Sequence, residues 1–225
     1  MRLQKKIAES GYCSRRAAEK LIGEGVVFVN GEVAVIGQTV TEDDEIMIDG
    51  KLLKNQSPKI YIALNKPPGY TCTNRRFKGE KNIFDIVDLD ERLFVVGRLD
   101  KDSRGLVILT NDGDYAQKAT HPRYHHEKIY EVTVKNSKEL DPKDIISILK
   151  KGITSDGEFL IAKKASYLGD DKFKVTLAEG KKRQLRRMFG YLDLWVTDLV
   201  RIQIGNVKLE DLPEGSWQEI KNPRE

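Results

Sequence analysis

Residues 97–113 read Gly-Arg-Leu-Asp-Lys-Asp-Ser-Arg-Gly-Leu-Val-Ile-Leu-Thr-Asn-Asp-Gly. The apolar run Leu93-Phe94-Val95-Val96 leads into this stretch, and Leu106-Val107-Ile108-Leu109 leads out of its polar half. Two short apolar runs separated by glycines and charges predict two strands joined by a polar turn. Strands hold backbone rigidly, so such a turn can present one carboxylate, that of Asp100, to a cleft. A turn-capping aspartate fits the local pattern equally well, because Asp bonds its own backbone in turns. A calcium loop does not fit: counted from Asp100, the fifth position is Arg104 and the twelfth is Asn111, where Asp or Asn and then Glu are needed. A phosphate-transferring D-x-D would need magnesium ligands further on, and no convincing set follows.

Around this stretch the chain of 225 residues has room for one domain of fair size and a small one. Hydrophobic residues make up 39% and charged residues 33%, a globular composition rather than a disordered one. No apolar stretch approaches a membrane span, and no signal-peptide core opens the chain. Two cysteines, Cys13 and Cys72, give no disulfide framework, which points to a cytoplasmic setting. The net charge of +4 does not itself announce a nucleic-acid binder. Its distribution says more: residues 181–187 carry five cations in seven, whereas Thr41 to Glu45 is acidic. Segregation of this kind suits a molecule with one face toward phosphates.

Residues 1–50 read as a compact unit, within a first domain of 1–55. Leu3, Ile7 and Ala8 have helical spacing, and Ser10-Gly11 breaks that helix. Ser14 suits an N-cap, Ala17, Ala18, Leu21 and Ile22 form the apolar stripe of a second helix, and Gly23 and Gly25 end it. Val26 to Val29 and Val33 to Val35 flank Asn30-Gly31, a hairpin signal, and Glu45 to Ile48 is a further strand. Residues 51–59 read as a linker. The second domain, 60–225, opens with a strand at Ile60 to Leu64. Strand signals at 93–98, 106–110, 129–134, 173–178 and 199–204 alternate with helical ones near 114–120 and 141–151. The expected fold class is α+β, with a mixed, mainly antiparallel sheet flanked by helices.

The run 97–113 resembles the signature of RNA pseudouridine synthases of the ribosomal RsuA-like and RluF-like type. The resemblance implies that Asp100 is the catalytic residue and that Arg98 contacts the backbone of the flipped nucleotide. Three further elements follow in the family's order. Asn65-Lys66-Pro67-Pro68-Gly69 is similar to its K-P-x-G opening, which makes Lys66 a structural or RNA-contact residue. Lys128-Ile129-Tyr130-Glu131-Val132 is similar to its K-x-Y-x-V stretch, which puts Tyr130 against the target base. Gly180 to Met188 is similar to its basic helix. By position, Arg186 would pair with Asp100 and keep it anionic, Leu185 would line the base pocket, and Arg183 and Arg187 would meet RNA. The family often has histidine where this chain has Arg183. The order helix, helix, hairpin, strand in residues 1–55 resembles the S-four-like RNA-binding domain, and would turn Lys5, Lys6, Arg15, Arg16 and Lys20 toward phosphates.

The activity so implied breaks the N-glycosidic bond of a uridine, turns the base and rejoins it through carbon. It gains and loses no atom, so no cofactor and no metal are expected. His121, His125 and His126 lack a nearby cysteine and a tetrahedral spacing, and read as a loop that touches RNA rather than a zinc site. The resemblance leaves open whether Asp100 attacks the sugar, attacks the base or takes a ribose proton. The implied partner is ribosomal RNA or an assembly intermediate, large subunit favoured and small subunit open, with a monomeric enzyme and no membrane. The alternative is a non-catalytic, ribosome-associated RNA-binding protein that retains the fold.

Overall fold

The computed structural model describes residues 1–54, 58–121, 126–135 and 139–224. They form two compact units, one of Met1–Ile60 with Leu89–Leu93 and Asn111–Gly113, the other of the remainder from Tyr61.

The first unit contains α1 (Leu3–Glu9), α2 (Arg15–Gly23), β1 (Val27–Val29), β2 (Glu32–Val33), β3 (Ile46–Ile48) and β4 (Lys51–Leu52). The Ser14 side chain accepts from the Ala17 N–H and caps α2, one of the orphan donors that every helix start must satisfy. Asn30 and Gly31 both take positive φ, 52° and 84°. The reversed turn of a two-residue hairpin requires this, and Asn-Gly accepts it at little cost. The strands order β2-β1-β3-β4. Leu3, Ile7, Ala18, Ile22, Val27, Val29, Ile46 and Ile48 close the core between helices and sheet. Residues 51 and 52, expected as the start of a linker, instead extend this sheet by pairing with β3.

The second unit contains β5 (Tyr61–Lys66), the 3-10 turn Ile83–Asp85, β6 (Phe94–Val96), β7 (Arg104–Thr110), α3 (Gly113–Thr120), β8 (Lys128–Lys135), α4 (Pro142–Lys151), β9 (Ile153–Ser155), β10 (Glu158–Leu160), β11 (Lys164–Gly169), β12 (Lys172–Leu177), α5 (Gln184–Gly190), β13 (Trp195–Ile204), β14 (Val207–Lys208) and β15 (Trp217–Glu219). Gly113 stands at the start of α3, while most of that helix belongs to the second unit. Nine strands form one sheet, ordered β11-β12-β8-β13-β7-β5-β15, with β14 on β13 and β6 on β7. Every pairing in it is antiparallel except that of β13 with β7. The α+β reading is thus borne out. Leu106 to Leu109 are fully buried, as suits a central strand covered on both faces, and each such side chain contributes about 1.5–3 kcal/mol on burial. Tyr61 and Tyr115 meet edge to face on one side, with centroids 5.4 Å apart. Phe173 and Phe189 pack on the other, at 5.6 Å.

One edge of β7 is shared. Its start pairs with β13, through Arg104 with Val200 and Gly105 with Arg201. Its end pairs with β6, through Ile108 with Val96 and Thr110 with Phe94. The polar turn 97–103 therefore leaves the sheet at the junction between β6 and β13.

Candidate active site

Register lines up the chemistry. Tyr130 on β8 pairs with Arg201 on β13, Arg201 with Gly105 on β7, and Gly105 with Lys66 on β5. Residues directly opposite in neighbouring strands project to the same face, so Tyr130, Arg201 and Lys66 form one row across the sheet. Asp100 lies on the turn whose first residue, Gly97, is held through its carbonyl by Arg201. These four residues, except Lys66, line a cleft of about 820 Å³, together with Leu185, Arg98, Arg183, Lys128 and Cys72.

Arg201 is 1% exposed. Its Nε donates to Leu106 O at 2.7 Å, one Nη donates to Gly97 O, and the other to Arg98 O at 3.5 Å. An arginine offers its donors in a fixed planar fork; here that fork ties β7 to the residues just before Asp100. Two glycines make the approach possible. A methyl at Gly105, where φ is +104°, would overlap the Arg201 carbonyl oxygen and lie 2.7 Å from its amide nitrogen. Gly97 turns at φ +71° with Arg201 Nη1 3.5 Å from the place of its missing methyl. Sequence reading gave Arg201 no role. Its signal was a lone cation among the apolar residues Leu199, Val200, Ile202 and Ile204, a position where a charge must be satisfied from within.

Lys66 is fully buried. Its Nζ donates to the carbonyls of Pro67 at 2.9 Å, Lys101 at 3.2 Å and Ser103 at 2.7 Å. Burial pulls the amine down to about 8, against the attraction of Cys72, Asp102 and Asp100. All three of its donors are spent on backbone carbonyls of the protein, which leaves none for the RNA contact that was one of the two roles expected for Lys66. Cys72 is also buried, and burial pushes its thiol up. Lys128, another cation on the cleft wall, is lowered by burial and by Arg201.

The arginines of the α5 region do not sit as expected. Arg186 meets Asp102 rather than Asp100: Nη2 lies 3.2 Å from the Asp102 carboxylate and donates to its carbonyl at 3.3 Å, while Nη1 donates to Val196 O at 3.1 Å. The cation beside Asp100 is Arg183, at 3.8 Å, and it too is closer to Asp102, at 3.2 Å. The cause is local. Ser103 N–H bonds Asp100 O, and the turn so closed carries Asp102 under the start of α5. Arg183 itself is left-handed, φ 50° and ψ 33°, just ahead of that helix, and the Gln184 side chain accepts the Lys181 N–H in place of a cap. Burial alone would raise the Asp102 carboxyl, but hydrogen bonding from Arg183 and the Arg186 charge outweigh it and hold the group below its ordinary value.

Arg187, expected to meet RNA, is tied to Asp156 and Glu158 and donates to Ser155. It anchors the β9–β10 hairpin instead, because α5 turns that side chain back toward the protein. Leu185 is buried at the cleft, as is Tyr130. Arg98 is exposed on the rim. His121 and His126 line the cleft; Pro122 to His125 lie outside the described residues. Burial and the Lys128 charge lower His126. In the first unit, Lys6 pairs with Glu42, Lys5 with Glu9 and Lys20 with Glu24. Arg15 and Arg16 are exposed and have no side-chain partner among the described residues. Among those residues there is also no cluster of three or more His, Cys, Asp or Glu that could hold a metal ion, and no helix long and apolar enough to cross a membrane.

Residues 60–191 match the family model described as RNA pseudouridylate synthase, and residues 1–46 match that of the S4 domain. The chain is 40% identical to the dual-specificity RNA pseudouridine synthase RluF of Salmonella typhi, over 97% of this chain and 75% of that one. It is 38% identical to the ribosomal large subunit pseudouridine synthase B of Bacillus subtilis, over 97% and 91%. Among solved structures it is similar to a pseudouridylate synthase crystal structure, with TM-score 0.69, 34% identity, and 98% and 96% of the two chains covered.

Proposed function

The chain belongs to the RNA pseudouridylate synthase family, an isomerase family, and on that premise we propose that it converts a uridine of large-subunit ribosomal RNA to pseudouridine, with Asp100 as the catalytic carboxylate. The reading rests on one observation. Of the two carboxylates among the described residues lining the cleft with Tyr130 and Leu185, Asp100 and Glu179, Asp100 is the one on the turn that Arg201 holds, whereas Glu179 is paired with Lys181.

The target uridine leaves its stack, at a cost of a few kcal/mol, and contacts from the cations of the S4 unit and the cleft rim to RNA phosphates offset that cost. In the cleft, Tyr130 stacks on the extruded base and Leu185 closes its apolar side. Asp100 starts cleavage of the bond between C1′ and N1. The base then turns, C1′ bonds to C5, the C5 proton departs and N1 takes one up, so atoms and charge balance. Tyr130 is within the site for that proton transfer. Arg183 steadies the Asp100 charge, and the buried cations Arg201 and Lys66 fix the turn that carries it. The large-subunit preference takes its support from the name of the Bacillus subtilis relative.

The test is tritium release from ribosomal RNA labelled at uracil C5, in the presence of chelator, with wild type and Asp100→Asn. Release by wild type alone is expected, with equal thermal stability of the two proteins. Equal release by the variant would remove Asp100 from the chemistry.

A further inference from the structure

Beside the cleft lies a second cavity of about 460 Å³, which shares Thr73, Val95, Arg98 and Thr120 with the first. Its other walls are Asn74 and Arg75 on one side, Phe94 on β6, and Ala116 and Gln117 on α3. Two features set it apart from an ordinary surface depression. The first is the state of its cations. Among the described residues of the second unit, the guanidiniums of Arg76, Arg104, Arg183, Arg186, Arg187 and Arg201 are each bonded to acceptors of the protein, and that of Arg224 lies over the Tyr115 ring. The guanidiniums of Arg75 and Arg98 have no hydrogen-bond, ion-pair or ring partner among those residues, and both arginines line this one cavity. Charges of one sign left unmatched around a concavity attract the opposite sign.

The second feature is rigidity. The segment carrying Arg75 is pinned by Asn82, which is 1% exposed. Its Nδ2 donates to Thr71 Oγ1 at 3.2 Å, Thr73 O at 2.8 Å and Arg75 O at 3.2 Å, and its Oδ1 accepts from Phe84 N. Arg75 N in turn donates to Thr73 Oγ1. Asn82 thus fixes the backbone on which Arg75 stands, and β6 fixes Phe94 and the run to Arg98. A site built on such supports keeps its geometry without a ligand.

Resting on the reading of the cleft as the uridine site, we propose that this second cavity is a subsite for the nucleotide adjoining the target in the RNA strand. Its phosphate lies between Arg75 and Arg98, and its base rests on Phe94 with the Gln117 amide at the base edge. Guanidinium is the side chain suited to phosphate, a phenyl ring accepts any base by stacking, and a terminal amide can distinguish base edges. Because Arg98 is two residues from Asp100 and belongs to both cavities, one phosphodiester spans them. The subsite holds the strand in place while the target base is out of its stack.

The experiment uses the full chain and the RNA on which wild type releases tritium. In Arg75→Ala, KM should rise roughly tenfold with kcat within about twofold, and the salt dependence of RNA binding should fall by about one charge. A synthetic stem-loop containing the mapped uridine, with one neutral methylphosphonate beside it, separates a phosphate contact from a general loss of positive charge. Wild type should lose affinity on the neutral linkage and Arg75→Ala should lose no more. Gln117→Ala, an exposed helix position, should level the wild-type preference among the four bases at the flanking position. Unchanged KM in Arg75→Ala, or additive losses on the neutral linkage, would overturn the subsite. Absence of tritium release by wild type would instead overturn the function on which it rests.

Discussion

Replacing Lys66 by methionine removes a buried charge and three donated hydrogen bonds at once, and the two effects oppose each other. The gap between the ordinary value of 10.5 and about 8 means that the folded environment disfavours the ammonium by about 3 kcal/mol. Deleting the amine relieves that cost. It also strips the carbonyls of Pro67, Lys101 and Ser103 of their donor, and each buried group left bare costs about 1–3 kcal/mol. The net expectation near neutral pH is a loss of about 3 kcal/mol. The sign of the pH dependence follows from linkage. Between about 8 and 10.5 the unfolded chain holds a proton at Lys66 that the folded chain has released, so wild-type stability rises across this window. The methionine variant keeps every other titrating group and lacks this increment, so urea unfolding of both proteins should give a stability difference that widens by up to about 3 kcal/mol from pH 8 to pH 10.5. Activity moves the other way. A neutral amine has one donor fewer for its three carbonyls, and loss of the anchor shifts Asp100, so kcat of the variant should fall about a hundredfold. A stability difference flat with pH, together with an unchanged kcat, would refute the assignment of Lys66 as the anchor of the turn.

Gly105→Ala should cost at least about 3 kcal/mol, from backbone strain and overlap with Arg201. The check is a thermal melt in which Gly180→Ala, at a site with nothing within 4 Å, stays close to wild type. Asp102→Asn should cost under about 1 kcal/mol, because the carboxylate is half exposed and solvent screens its ion pairs. Its depressed carboxyl contributes above the ordinary aspartate value and is lost as pH falls through the lower folded value, so the variant should show a shallower acid limb in stability against pH.

Elements whose signal is local were legible in the sequence. Ser14 capped its helix, Asn30-Gly31 made its hairpin, and Leu106 to Leu109 formed a buried strand. Edges were not. Lys164–Gly169 is exposed along most of its length and carries no apolar alternation, so β11 emerges only when β12 offers it a partner. At the site, motif spelling pointed to Asp100, Tyr130 and Leu185, which share one cleft. It did not reveal the ion-pair geometry, because Asp100 and Asp102 stand two positions apart on one turn and only the fold decides which one α5 overhangs. Arg201 was hidden for a related reason. Its partners are backbone carbonyls, which have no residue identity for a sequence to display.

The parallel pair of β13 with β7 has a consequence for the order in which the molecule is made. Arg201 reaches Leu106 across 95 residues of chain, and such distant pairings form late because the loop must close before the contact returns anything. A chain emerging from synthesis can pair β5 and β6 with β7, and β8 with β12, and still lack the fork that fixes the Asp100 turn. Competence should therefore arrive late in assembly, when β13 enters between β7 and β8. Until then a partly made chain in contact with RNA has its acidic turn but not the frame that aims it.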